Sequence, residues 1–256
     1  MQAAKAALDK LYDGRPFPLI FGHRGSSAGA PMNTLPAFEL AAQQGADGIE
    51  LDVRLSKDRQ VIVIHDAQVD KTTDGHGPAA HKTLAELREL DAGGWFAPAF
   101  RNTRIPTLDE VFEAVGKRLI INIELKSEAF FTGGLEQAVA DRVRFFGLER
   151  HVIVSSFDPL ALRRFRRLLP ETPLGFLYAP DTPRYLRLLA VGLAYEALHP
   201  HHSMINADHV AWARKRNCRI HTWTVNDIDR ALVLRDLGVE AIISDSPALL
   251  REALGG

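Results

Sequence analysis

The chain has 256 residues, 46% of them hydrophobic and 25% charged, with 31 basic side chains against 32 acidic ones and a single cysteine. So much apolar material excludes a disordered chain, and near-neutrality excludes a general attraction to nucleic acid or an anionic membrane. One cysteine, Cys218, excludes an internal disulfide.

The first stretch, MQAAKAALDKLYDG, is polar and helical in pattern and lacks the apolar run of an export signal. No later run reaches the ~20 apolar residues of a membrane span. The expected location is the cytoplasm.

Short apolar runs then alternate with amphipathic stretches. Strands are expected at Pro18–Gly22, Gly48–Val53, Val61–Ile64, Leu119–Glu124, Val152–Ser155, Leu174–Tyr178, Ala197–His199, Arg219–Val225 and Ala241–Ser244. Between them lie helix signals. Thr107 and Glu110 have capping-box spacing before Val111, Phe112 and Val115. Asp158-Pro159 and Ser246-Pro247 each put a capping side chain before a proline of the first turn. Leu135, Val139, Val143 and Phe146 form one apolar face that stops at Gly147, and Gly238 ends the helix after Asn226-Asp227.

Strands alternating with helices argue for parallel α/β architecture. Nine strands are one too many for a (β/α)₈ barrel. The segment from Arg54 to Gln60 is too short for a helical crossover, so the third strand folds back on the second as a hairpin. The remaining eight make a TIM-type (β/α)₈ barrel, which fits about 250 residues as one domain spanning 1–256. The stretch 54–104 is long for a barrel loop and reads as a small insertion after the second strand, over the barrel mouth.

A barrel of this kind keeps its chemistry at the C-terminal ends of its strands. The first strand ends in His23-Arg24-Gly25. Glu50 and Asp52 on the second strand share one face, and the hairpin returns His65 beside Asp52. The third barrel strand brings Glu124 and Lys126, and Trp223 comes at the end of the seventh. Glu50, Asp52 and Glu124 make a hard oxygen site suited to Mg²⁺ or Ca²⁺ rather than zinc. Arg24 and Lys126 beside it suit a phosphate oxyanion. His23 and His65 can divide proton transfers at a phosphodiester, one as base and one as acid.

An ordered set of motifs carries a family resemblance. It comprises His23-Arg24-Gly25, Asn33-Thr34-Leu35-x-Ala37-Phe38, Gly45-Ala46-Asp47-x-Ile49-Glu50-x-Asp52-Val53, Val61–Asp66 and Thr72-Thr73-x-Gly75. Leu90-Asp91-Ala92-Gly93, Ile105-Pro106-Thr107-Leu108, Asn122-Ile123-Glu124-x-Lys126, Ser155-Ser156-Phe157-Asp158 and Trp223-Thr224-Val225-Asn226 complete it. The chain resembles the glycerophosphodiester phosphodiesterase family from about Phe21 to Pro247. The resemblance implies a TIM-type barrel with an inserted subdomain and one divalent ion, Mg²⁺ or Ca²⁺. It also implies hydrolysis of a small-molecule glycerophosphodiester to glycerol 3-phosphate and an alcohol. Charge and apolar run length separately argue against a nucleic-acid partner and a membrane span. It matches Glu50, Asp52 and Glu124 to metal ligands, His23 and His65 to the acid/base pair, Arg24 and Lys126 to phosphate contacts, and Trp223 to the substrate groove. One departure stands out: the family usually has glutamate before the Asn-Thr pair, and this chain has Met32. A lysophospholipase D-like or other phosphodiesterase, and a non-catalytic phosphate-ligand binder, are the alternative functions. Of the other histidines, His76, His81, His151 and His209 are expected at the surface, and His201 and His202 in a surface loop.

Overall fold

A computed structural model describes residues 2–126 and 133–255. In chain order the elements are α1 (Gln2–Tyr12), β1 (Leu19–His23), α2 (Leu35–Gln43), β2 (Gly48–Leu55), β3 (Val61–Val63), α3 (Leu84–Arg88), α4 (Leu108–Val115), β4 (Ile120–Leu125) and α5 (Leu135–Phe145). They continue with β5 (Val152–Ser156), α6 (Pro159–Leu168), β6 (Leu174–Tyr178), α7 (Arg184–Leu189), β7 (Ala197–Pro200), α8 (Ala207–Lys215), β8 (Arg219–Thr222), α9 (Ile228–Leu237), β9 (Ala241–Ser244) and α10 (Pro247–Leu254). All nine expected strands are present.

The sheet runs β1-β9-β8-β7-β6-β5-β4-β2-β3, and β1 also pairs with β2, which closes eight parallel strands into a barrel. The ninth, β3, pairs antiparallel with β2 as a hairpin, Val53 opposite Val63. Strand alternation divides the apolar residues between two compartments. Ile20, Ile49, Leu51, Val53, Ile121 and Ile123 face outward onto Phe38, Val111, Val115 and Val139 of the surrounding helices. The inward residues at the strand starts, Leu19, Phe21, Ile120, Ile153, Ala197 and Ala241, pack with Leu8, Leu11 and Tyr12 of α1. The N-terminal helix thus seals the end of the barrel opposite the strand C-termini.

The excursion between β3 and α4 carries its own apolar cluster, built from Ile62, Ile64, Val69, Ala79, Leu87, Ala92 and Ile105. Pro106 O accepts from Val63 N at 2.9 Å and ties the excursion back to the hairpin.

The caps follow the sequence with one correction. Thr107 and Glu110 form a reciprocal capping box, Asp158 accepts from Leu160 N, and Gly238 takes the left-handed conformation that stops α9. Ser246 makes no side-chain cap; its backbone N–H donates to Ser244 Oγ. The strand expected to run to Val225 stops at Thr222: beyond it the chain turns so that Trp223 bridges His201. His209 departs from its expected surface position, since Tyr178 Oη lies 2.7 Å from its Nε2 and Met204 O lies 3.0 Å from its Nδ1.

Candidate active site

The sharp turn after β1 comes first. Arg24 adopts φ 55° and Gly25 φ 85°. A left-handed arginine is costly and rare, and such residues concentrate at functional sites. A Cβ on Gly25 would meet the Ala37 backbone at 2.6 Å, so only glycine lets the turn lie against α2. The turn aims the Arg24 backbone N–H at Glu50 Oε2, 3.1 Å away. The loop then returns, and Asn33 N donates to Arg24 O at 2.9 Å. The Asn33 carboxamide clamps Asp52 in both directions, with Nδ2 donating to Oδ2 at 2.8 Å and Oδ1 accepting from Asp52 N at 3.3 Å.

Register delivers the carboxylates. His23 lies beside Glu50 across β1–β2, and Asp52 beside Glu124 across β2–β4. Oxygens of Glu50, Asp52 and Glu124 lie within 4.8 Å of one another, and all three residues are buried. Lys126 Nζ bonds Glu124 Oε1 at 2.6 Å and Asp52 Oδ1 at 3.0 Å. Arg24 Nε lies 3.3 Å from Asp52 Oδ2, an ionic contact without hydrogen-bond alignment, and Nη1 meets Met32 Sδ at 3.2 Å.

Electrostatics separate the three acids. Burial, and then the charges of Asp52 and Glu124, push the Glu50 carboxyl well above its ordinary range. Burial raises Glu124 too, with Lys126 opposing and Asp52 adding. For Asp52 burial is overcome by Lys126, Arg24 and His65 and by the bond from Asn33, so its carboxyl is held well below the usual range. Three carboxyls, two of them resisting ionisation, against one lysine and one arginine form a cluster short of positive charge. The three grouped ligand candidates are all carboxylates, an oxygen set that fits a divalent cation such as Mg²⁺ or Ca²⁺.

Both histidines face the same cavity. Ile64 N donates to Asp52 O at 2.9 Å, and Arg54 Nε donates to His65 O at 2.9 Å, so the hairpin pins His65 at the rim. Burial, opposed by the charge of Asp52, lowers the His65 pKa. His23 Nδ1 lies 2.6 Å from Asp245 Oδ1, and its Nε2 4.0 Å from Glu50 Oε2. Burial alone would raise the Asp245 carboxyl, but hydrogen bonds from His23, Asn226 and Ser27 and the charge of His23 bring it down to about 2.

The cavity holds about 230 Å³ and is lined by every candidate site residue except Asp52, which lies beneath Lys126. Leu177, Ile243, Asn122 and Phe157 complete it, with Phe157 edge-on to Trp223 at 5.6 Å between ring centres. Trp223 Nε1 donates to His199 O at 2.8 Å, which fixes the indole at the wall. A larger cavity of about 990 Å³ lies outside the barrel by Tyr178, Tyr195 and Trp212, and no candidate site residue lines it.

The site contains residues that the sequence reading passed over. Asp245 directly follows β9, so the rule that chemistry collects at strand C-termini pointed to it. Asn33 and Phe157 stood inside quoted motifs without a role.

Comparison with known proteins agrees with this geometry. Residues 23–249 match the model of the glycerophosphoryl diester phosphodiesterase family. A glycerophosphodiester phosphodiesterase of Caldanaerobacter subterraneus subsp. tengcongensis is 39% identical over 236 residues, 91% of this chain and 96% of its own. A phosphodiesterase of Oleispira antarctica, solved in complex with the product sn-glycerol-3-phosphate, superposes with a TM-score of 0.83 at 33% identity, covering 93% of this chain and 97% of that one. A glycerophosphodiester phosphodiesterase structure from Agrobacterium tumefaciens gives a TM-score of 0.79 at 32% identity, over 91% and 98% of the two chains. The chain belongs to the glycerophosphoryl diester phosphodiesterase family and is an enzyme of that family.

Proposed function

We propose that the chain hydrolyses glycerophosphodiesters to glycerol 3-phosphate and an alcohol, with Glu50, Asp52 and Glu124 holding one divalent ion, Mg²⁺ or Ca²⁺. The observation that carries this is the grouping of these carboxylates with Arg24, Lys126, His23 and His65 around one small cavity. The chain 1–256 acts as one barrel domain, and the 54–104 insertion supplies His65 and covers part of the mouth.

A bound divalent ion would supply positive charge to a phosphate oxygen and make a neighbouring hydroxyl more acidic. Arg24 and Lys126 add fixed positive charge where the transition state gathers negative charge. Asp245 takes the Nδ1 side of His23 and leaves Nε2 facing the cavity. His23 and His65 divide two proton transfers. One accepts the proton of the attacking hydroxyl, water or the substrate's own glycerol hydroxyl, as the new P–O bond forms. The other protonates the alcohol oxygen as its P–O bond breaks. If the glycerol hydroxyl attacks, a second round with water opens the cyclic phosphate. Trp223 and Phe157 line the groove for the departing alcohol.

The test is release of glycerol 3-phosphate from glycerophosphocholine with Mg²⁺, Ca²⁺ or chelator. Turnover should vanish with chelator, return with one of the ions, and fall by about 10²–10⁴ in His23→Ala. Glu50→Gln should also lose affinity for the ion by calorimetry. Full turnover in chelator, or by either variant, overturns the reading.

A further inference from the structure

Asn122 lies on β4, in register with Glu50 and two residues before Glu124, so its side chain points into the barrel. It is 1% exposed, yet among the described residues neither its Nδ2 nor its Oδ1 has a hydrogen-bond partner. An amide left in that state forgoes the hydrogen bonds that water would give it, and native proteins keep such groups for a reason. Ser155 Oγ and both ring nitrogens of His199 share the condition but do not line the 230 Å³ cavity. Arg24 Nε shares it and lines the cavity, but it lies 3.3 Å from Asp52 Oδ2 in an ionic contact, whereas Asn122 is neutral and both ends of its amide are unpartnered among the described residues.

The company it keeps selects its ligand chemistry. The other polar linings are ionic or imidazole: Glu50, Glu124, Arg24, Lys126, His23 and His65. These suit a phosphate and a cation. A carboxamide is neutral and offers a donor and an acceptor side by side. That pair matches a hydroxyl, which also gives one hydrogen bond and accepts others. Leu177 and Ile243 line the same cavity and give apolar contact suited to C–H groups.

We propose that Asn122 is a substrate-contacting residue that recognises a hydroxyl of the glycerol moiety at the base of the cavity. The proposal rests on the reading of this cavity as the glycerophosphodiester site, and it makes Asn122 a determinant of polyol selection rather than of phosphate binding.

Calorimetric titration of the Mg²⁺-supplemented protein with glycerol 3-phosphate and, separately, inorganic phosphate tests it. Asn122→Leu should weaken glycerol 3-phosphate by about tenfold, the worth of one or two hydrogen bonds, and leave phosphate within twofold. Its ligand-free melting temperature should hold or rise, because an unpaired amide is removed at similar volume. Asn122→Ser, which keeps one hydroxyl, should fall between the two in glycerol 3-phosphate affinity. Unchanged glycerol 3-phosphate affinity, an equal loss for both ligands, or a lowered melting temperature in both variants overturns the proposal. A parent protein that binds neither ligand overturns the reading of the cavity itself.

Discussion

Asp245 shows how a residue outside the ligand set shapes the site. Its carboxylate binds His23 Nδ1 while Ser27 and Asn226 hold it in turn, at 2.9 and 2.6 Å. Its titration down to about 2 keeps it an acceptor throughout the neutral range. Asp245→Asn retains the shape but removes the charge and permits the wrong His23 tautomer. The expected result is a fall in kcat of about 10–100-fold with little change in KM and no comparable loss of stability, measured by steady-state kinetics beside thermal melting. Met32 acts at the same scale. A thioether is a weak acceptor, so Arg24 Nη1 has a soft neighbour where a carboxylate would grip it.

At the scale of elements, β6 and β7 depend on each other through a glycine. The His199 ring occupies the space a Cβ on Gly175 would need, with Nε2 the nearest atom to that position. His199 then stacks on His221 of β8, ring centres 4.7 Å apart, and His221 meets Tyr12 Oη of α1. Gly175→Ala therefore overpacks the barrel interior and should cost about 1–3 kcal/mol in denaturant unfolding. Adding His199→Ala should recover part of that loss, a non-additivity that a double-mutant cycle reads directly. Strictly additive costs would mean that the ring and the glycine do not share the space. Sequence spacing revealed these strands but not this pairing, because Gly175 and His199 lie on separate strands with a helix between them.

At the scale of the whole molecule, closing the barrel buries two imidazoles away from water. Burial lowers the His199 pKa to about 3, and burial with the neighbouring His199 lowers His221 well below its ordinary value. In the unfolded chain both return to about 6.5. Below that pH the unfolded chain binds more protons than the folded one, so stability rises with pH and declines as pH falls from about 6.5 toward the folded values. Each imidazole contributes a slope of up to about 1.4 kcal/mol per pH unit in that window. Urea unfolding at pH 7 and pH 5 should show a lower midpoint at pH 5, and His199→Leu should flatten the difference. Among the described residues no helix is long and apolar enough to cross a membrane.

The sequence alone determined the barrel, because strand alternation, short connections and capping pairs such as Thr107 with Glu110 are local signals that survive without coordinates. It also determined the candidate ions and bases, since Glu50 with Asp52 and Glu124 with Lys126 share a face by period-two geometry alone. Tertiary structure decided the rest. Asp245 is 222 positions from His23 and reaches it only because β9 closes against β1. Asn122 looks like any strand residue until burial shows its amide without a partner. The helical periodicity of α1 was legible, but its role as the barrel's floor was not, because its partners come from β1, β4, β5, β7 and β9. Local patterns specify which face a side chain takes; barrel closure specifies what it meets there.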